Sequence, residues 1–279
     1  MNRPGQLSVF LTLGIVLLFV IGSKPFAEGD AKKEIRIGGT GTALATMKSL
    51  ADEFRKKHPD VIITVLPSLG SSGGIKALIE GKLDIALSHK VLSGDEQNKG
   101  LTTVKYAKTP FVFVTHRTNK ISNITLQEVA DIYNGKTITW PDDTPIRLIL
   151  RPAGEASTKT LEGISEDMKR AVGNSFKRSG LNIAVNDQEN ATLLERLPGS
   201  FGTATLCQII SEKRKLNVLS LNGVKPSLRT LANGNYPYFK ELYMITGPKS
   251  APQVQQFMDF VFSPSGQSIL GKTGHLVSR

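Results

Sequence analysis

With 279 residues the chain has room for one large or two medium domains. Its formal charge of +11, from 35 lysines and arginines against 24 aspartates and glutamates, favours anions of any kind as partners. The basic residues are scattered, aromatics make up 6% of the chain, and neither a basic helix nor zinc-finger spacing occurs, so no nucleic-acid partner is expected. Cys207 is the single cysteine, which excludes an internal disulfide.

The first element is a leader. Arg3 precedes the uncharged apolar run LSVFLTLGIVLLFVI (Leu7 to Ile21), and Lys24-Pro25-Phe26-Ala27 leads into the polar Glu28-Gly29-Asp30. This is the plan of a secretory signal peptide over residues 1–27, cleaved after Ala27. The alternative is an uncleaved membrane anchor, although the run is shorter than the roughly 20 apolar residues a spanning helix needs. With no cysteine near the junction, anchoring through a lipidated N-terminal cysteine is not expected. Every later apolar run is short and broken by charge. The expectation is therefore an exported, soluble, periplasmic chain.

Strands and helices then alternate. Ile35 to Gly39 predicts a short strand, and Leu44, Met47, Leu50 and Phe54 recur at helical spacing. Val61 to Pro67 predicts a buried strand. The turn from Leu69 to Gly74 opens a helix carrying Ile75, Leu78 and Ile79, and Leu83 to Ser88 is another strand. Thr103 to His116 is too long for one ordinary strand and suits a crossing between two lobes. In ITLQEVADIYNGK, Thr125 and Glu128 form a capping box, Ile124 and Val129 its hydrophobic staple, and Gly135 the stop. Ile146 to Leu150 is a strand leading to Arg151. Helices follow near Ser157 to Ile164, Ser165 to Ser179 and Glu189 to Arg196. Phe201 to Leu206, Val218 to Leu221 and Leu242 to Thr246 read as strands, and two helices near Val254 to Leu270 close the chain. This alternation predicts an α/β fold with mostly parallel sheets flanked by helices, arranged as two lobes with a cleft between them. Lobe 1 covers 28–115 and is completed by 236–279; lobe 2 covers 116–235.

Three strand-to-helix turns share one chemistry. They are Gly38-Gly39-Thr40-Gly41-Thr42, Gly70-Ser71-Ser72-Gly73-Gly74, and the run from Arg151 through Gly154, Glu155 and Ala156 to Ser157 and Thr158. Each puts small or hydroxyl residues at a helix start, where free N–H groups and the helix dipole favour negative charge. Arg151 adds a planar fork suited to a tetrahedral oxyanion. Any one turn is explained equally well by ordinary helix capping; their conjunction with an arginine points to an anion site. None matches a nucleotide motif, since GGTGT lacks the GxGxxG spacing and GSSGG lacks the lysine of a P-loop. His58, His89, His116 and His275 have no partners at metal-ligand spacing, and no GxSxG elbow supports a serine nucleophile. No cofactor, no metal and no catalytic residue are expected. Trp140, Tyr236, Tyr238 and Tyr243 read as packing residues.

Four segments carry a family resemblance across nearly all of the chain after the leader. GSSGGIKALIEGKLDIALS, ITLQEVADIYNGKTITW, YPYFKELYMIT and SPSGQSILGKTGH are similar to the phosphate-binding proteins of ABC importers, a branch of the type II periplasmic binding proteins. The resemblance implies two lobes that close over phosphate, delivery to a membrane permease, and a monomer. It implies contacts from Gly41 and Thr42, with Ser71 as a hydroxyl donor and Arg151 as the charged donor from the second lobe; the three turns add Thr40, Ser72, Gly73, Ser157 and Thr158 as candidate ligand-binding residues. Two departures stand out. His89 replaces the family's aspartate, which accepts a hydrogen bond from protonated phosphate that sulfate cannot offer. Glu155 replaces a hydroxyl donor. Either Glu155 takes over the acceptor role of the missing aspartate, or it pairs with Arg151 or a lysine; His89 sits at the pocket edge. Other oxyanions (sulfate, molybdate, tungstate, a phosphonate) stay open as ligands. An exported phosphate-ester hydrolase and a sensory binding protein stay open as roles.

Overall fold

The structure is a computed structural model that describes Met1 and residues 33–277; apart from Met1, the expected leader over residues 1–27 lies outside the described residues. The chain runs β1 (Lys33–Gly39), α1 (Gly41–Arg55), β2 (Val61–Val65), α2 (Gly70–Ile79), β3 (Ile85–Ser88), α3 (Gly94–Gln97) and the long β4 (Thr102–His116). It continues through β5 (Asn123–Ile124), α4 (Leu126–Asn134), β6 (Arg147–Leu150), α5 (Ala156–Glu162), α6 (Glu166–Ser175), β7 (Asn182–Ile183), α7 (Asp187–Arg196), β8 (Ser200–Thr205), α8 (Leu206–Ser211), β9 (Leu216–Val218), β10 (Ser220–Leu221) and α9 (Leu228–Ala232). It ends with β11 (Phe239–Thr246), α10 (Pro252–Phe262), α11 (Pro264–Lys272) and β12 (Leu276–Val277).

The main sheet follows the order β2-β1-β3-β11-β4-β8-β6-β7, with β9 and β12 also paired to β4. At one flank β2, β1 and β3 are parallel, and at the other so are β8, β6 and β7. The middle is antiparallel, because β11 runs against both β3 and β4, and β4 runs against β8. The sheet is therefore mixed where the alternation of strands and helices predicts mostly parallel pairing. The antiparallel middle arises because β11, from near the end of the chain, inserts between β3 and β4 and runs against both.

β4 is continuous over 15 residues because its two halves serve two cores. Tyr106 and Ala107 enter a core with Ile35, Met47, Phe54, Met244 and Phe257. Phe111 and Phe113 enter a second with Val129, Tyr133, Leu148 and Phe201. Its C-terminal half is buried at every position, the pattern of a strand covered on both faces. Capping follows the sequence: Thr125 and Glu128 make the reciprocal capping box, and Gly135 ends α4 in the left-handed region at φ 75°, a conformation that costs glycine nothing. Trp140 is a packing residue, its indole N–H donating to the Gly199 carbonyl at 3.1 Å and its ring edge-on to Phe201. No described helix is long and apolar enough to cross a membrane.

Candidate anion site

A cavity of about 720 Å³ opens where elements of the two cores face each other. One wall is the start of α2, with Ser71, Ser72 and Gly73, and the segment after β3, with His89 and Lys90. The opposite wall is the loop after β6, with Arg151, Gly154 and Glu155, continued by Lys159 of α5. Parallel strands place this loop geometry: β3 and β6 both end at the cavity, so the turns following their carboxyl ends meet there.

The three helix starts singled out in the sequence differ in what fills them. α2 has no side-chain cap, which leaves its first N–H groups to the cavity. α5 is capped by Glu155, whose Oε2 accepts a 2.7 Å hydrogen bond from the Ser157 amide. α1 is capped from another element: Asp187, the first residue of α7, accepts from the Thr42 amide at 3.0 Å and from the Thr40 hydroxyl at 3.3 Å through Oδ2.

Six of the expected residues come together at the cavity: Ser71, Ser72, Gly73, His89, Arg151 and Glu155. Five do not line it. Thr40 and Thr42 turn their donors to Asp187, and the Gly41 carbonyl accepts from the Gln188 side-chain amide. Ser157 turns inward and accepts from the Lys240 ammonium at 2.6 Å, while the Thr158 hydroxyl donates to the Arg151 and Pro152 carbonyls. In each case a protein group satisfies the hydroxyl, as burial demands. Ser71 has a structural duty too, its hydroxyl accepting from the His89 amide at 3.1 Å.

Arg151 is 7% exposed. Its Nη1 donates to the Ala184 carbonyl at 2.6 Å, and its Nη2 lies 3.5 Å from Glu155 and 3.7 Å from Asp187. Its Nε and the Nδ1 of His89 are buried without a hydrogen-bond partner among the described residues. Glu155 Oε1 faces both Arg151 Nη2, at 3.5 Å, and His89 Nε2, at 3.8 Å. Burial, helped by the charge of Lys240 and opposed by Asp187, pushes His89 down to about 3, so the ring is neutral at physiological pH. Burial likewise holds the Lys240 ammonium below its ordinary value, against the pull of Asp187. Burial works to raise Asp187, but Lys240, Arg151 and the Thr42 amide outweigh it and hold the carboxyl below its usual range.

Asp187, Lys240, Lys90 and Lys159 have no place in the sequence-derived site. Lys240 left a readable signal: it shares strand parity with Leu242 and Met244, both fully buried, so a charge on that face needed a partner inside. Asp187 left none, since an acidic residue in a first helical turn is ordinary.

A family model for the PBP superfamily domain matches residues 24–265. Among curated relatives, the phosphate-binding protein PstS of Borreliella burgdorferi is 26% identical over 274 residues, covering 94% of this chain and 97% of the relative. PstS of Bacillus subtilis is 23% identical, covering 89% and 82%. Among solved structures, a Clostridium perfringens protein described as a phosphate ABC transporter substrate-binding protein, with bound phosphate, superposes with a TM-score of 0.74 at 24% identity over 88% of this chain and all of that one. An ABC-type phosphate transport receptor from Vibrio cholerae superposes at 0.61 with 20% identity, covering 88% and 100%. The structural likenesses bear on the fold.

Proposed function

The chain belongs to the PBP superfamily, and from that premise we propose that it is an exported solute-binding protein that captures a small oxyanion, phosphate, and hands it to an ABC-type permease in the membrane. The observation that carries this reading is the meeting of an uncapped helix start, α2, with the buried guanidinium of Arg151 across one cavity. Amide groups at a helix tip replace water around an anion at no reorganisation cost, and the partnerless Nε of Arg151 adds a charged donor. Lys90 and Lys159 at the walls add positive potential that steers anions in. The names of the full-length relatives support phosphate within the oxyanion class.

In this reading the two cores are the two lobes, joined by the crossings of β4 and β11, with the crossing of β4 falling between Ala107 and Phe111. Closure of one lobe on the other excludes water and completes the donor set, so ligand shifts the protein toward the closed form. The chain binds and does not turn over. The leader directs export, and His89 and Glu155 shape ligand choice from the cavity wall.

Isothermal titration of protein freed of bound anion by unfolding, dialysis and refolding tests the reading. Phosphate is expected to bind with micromolar or tighter affinity, with sulfate and molybdate weaker. Absence of heat with every oxyanion, or hydrolysis of a chromogenic phosphate ester, overturns it.

A further inference from the structure

We propose that Asp187 is a resident anion at the α1 tip and that a captured oxyanion must compete with it for those donors. The inference rests on the oxyanion reading above and concerns how tightly that site can hold its ligand.

The Asp187 carboxylate does what a bound oxyanion would do at a helix start. Through Oδ2 it takes the Thr42 amide at 3.0 Å, the Thr40 hydroxyl at 3.3 Å and the Thr42 hydroxyl at 3.5 Å; its other oxygen faces Arg151 Nη2 at 3.7 Å. This contact joins two elements of different cores, because α1 packs in the first while the residues on either side of Asp187, Ala184 and Leu194, pack with the second crossing half of β4. α1 is 15 residues long, so its dipole is fully developed, and no side chain of its own caps it.

A second observation points to a ligand at the same place. Arg151 Nε and His89 Nδ1 are buried polar atoms with no hydrogen-bond partner among the described residues, and both residues line the cavity. Such atoms are stabilised when a polar guest arrives.

Charge then decides the order of events. Arg151 Nη2 already faces two carboxylates, Glu155 at 3.5 Å and Asp187 at 3.7 Å. An oxyanion that settles on Arg151 with Asp187 in place puts two like charges side by side in a low-dielectric site. An oxyanion that displaces Asp187 from the α1 tip exchanges one negative group for another, gains the Thr42 amide, and frees the carboxylate to reach water. Asp187 therefore sets the affinity of the site by competing for it.

Titration with inorganic phosphate at pH 7 tests this with wild type, Asp187→Asn, Asp187→Ser and Gln188→Ala. Gln188 makes the uncharged neighbouring bridge, its side-chain amide donating to the Gly41 carbonyl at 3.0 Å. Removing the charge at 187 is expected to tighten phosphate binding roughly tenfold, the order of one charge-assisted hydrogen bond, while Gln188→Ala stays within about twofold of wild type. Circular dichroism establishes that each variant is folded, and Asp187→Ser carries the test if the asparagine variant is not. Phosphate binding by wild type that is unimproved or weakened in both 187 variants overturns the inference and leaves the oxyanion reading standing. Equal tightening in Gln188→Ala also overturns it, since a mechanical bridge would then be responsible. Failure of all four proteins to bind phosphate, sulfate or molybdate removes both.

Discussion

Lys240 on β11 donates a 2.6 Å hydrogen bond to the hydroxyl of Ser157 in the first turn of α5. The lysine is 4% exposed, lies 5.2 Å from the centre of the Phe111 ring, and faces the carboxylates of Asp187 and Glu155. It is the second positive charge of the cluster, and it comes from the returning strand, far in sequence from Arg151. Removing one member of a buried charge set leaves the others uncompensated. Lys240→Met is expected to destabilise the fold by about 3 kcal/mol. A urea denaturation midpoint equal to that of wild type would show that the lysine stabilises nothing there.

Arg151 presents a fork that a lysine cannot copy. Arg151→Lys keeps the charge but loses the bond to the Ala184 carbonyl and the free Nε. Phosphate affinity is expected to fall on the order of ten- to a hundredfold. Titration calorimetry reads the loss directly, and retained affinity would move the anion site away from this cavity.

Glu155 caps α5 with one oxygen and points the other toward Arg151 and His89. Glu155→Ala should cost about 1 kcal/mol of stability through the lost cap. It should also narrow the preference for phosphate over sulfate, because the acceptor for a ligand proton is gone. An unchanged ratio of the two affinities would assign Glu155 to capping and charge pairing alone.

Gly74 in α2 lies against the backbone of Gly39 at the end of β1. A Cβ built there falls 2.6 Å from the Gly39 Cα, and backbone on backbone cannot yield as a side-chain end can. Gly74→Ala is expected to destabilise by roughly 1–3 kcal/mol and to push the α2 start away from the cavity. Thermal unfolding measures the first effect and phosphate titration the second; an alanine variant as stable as wild type would contradict this close approach.

His275 gives the fold an acid limit. Burial pushes it down to about 4, and its Nε2 is buried without a hydrogen-bond partner among the described residues. The folded state resists protonation that the unfolded chain accepts near its ordinary value of about 6.5. Above that value the stabilisation is whole, and it is lost as pH falls from about 6.5 toward about 4. His89, pushed down to about 3, acts in the same direction and extends the loss to lower pH. Replacing His275 by Gln is expected to flatten the pH dependence of the urea midpoint in this window. A slope equal to that of wild type would mean that His275 is protonated in the fold without cost.

Local chemistry made much of the fold legible. The Thr125–Glu128 box, the Gly135 stop, the 3.6-residue spacing of Met47, Leu50 and Phe54, and the overlong run ending at His116 all act through near neighbours, and each appears in the structure. The same holds for the cavity residues that follow strand ends, Ser71 to Gly73 and Arg151 to Glu155. Pairing direction was not legible, because the antiparallel middle of the sheet depends on β11 returning between β3 and β4 from more than 100 residues away.

What the residues alone determined was the kind of chemistry: helix starts rich in N–H and hydroxyl donors, with one guanidinium beside them. What only the tertiary structure decided was which of those donors remain available. Asp187 reaches Thr42 across 145 positions and Lys240 reaches Ser157 across 83, and each satisfies a group that the sequence offers to a ligand. A buried donor binds the nearest acceptor in space, and distance along the chain says nothing of which one that is.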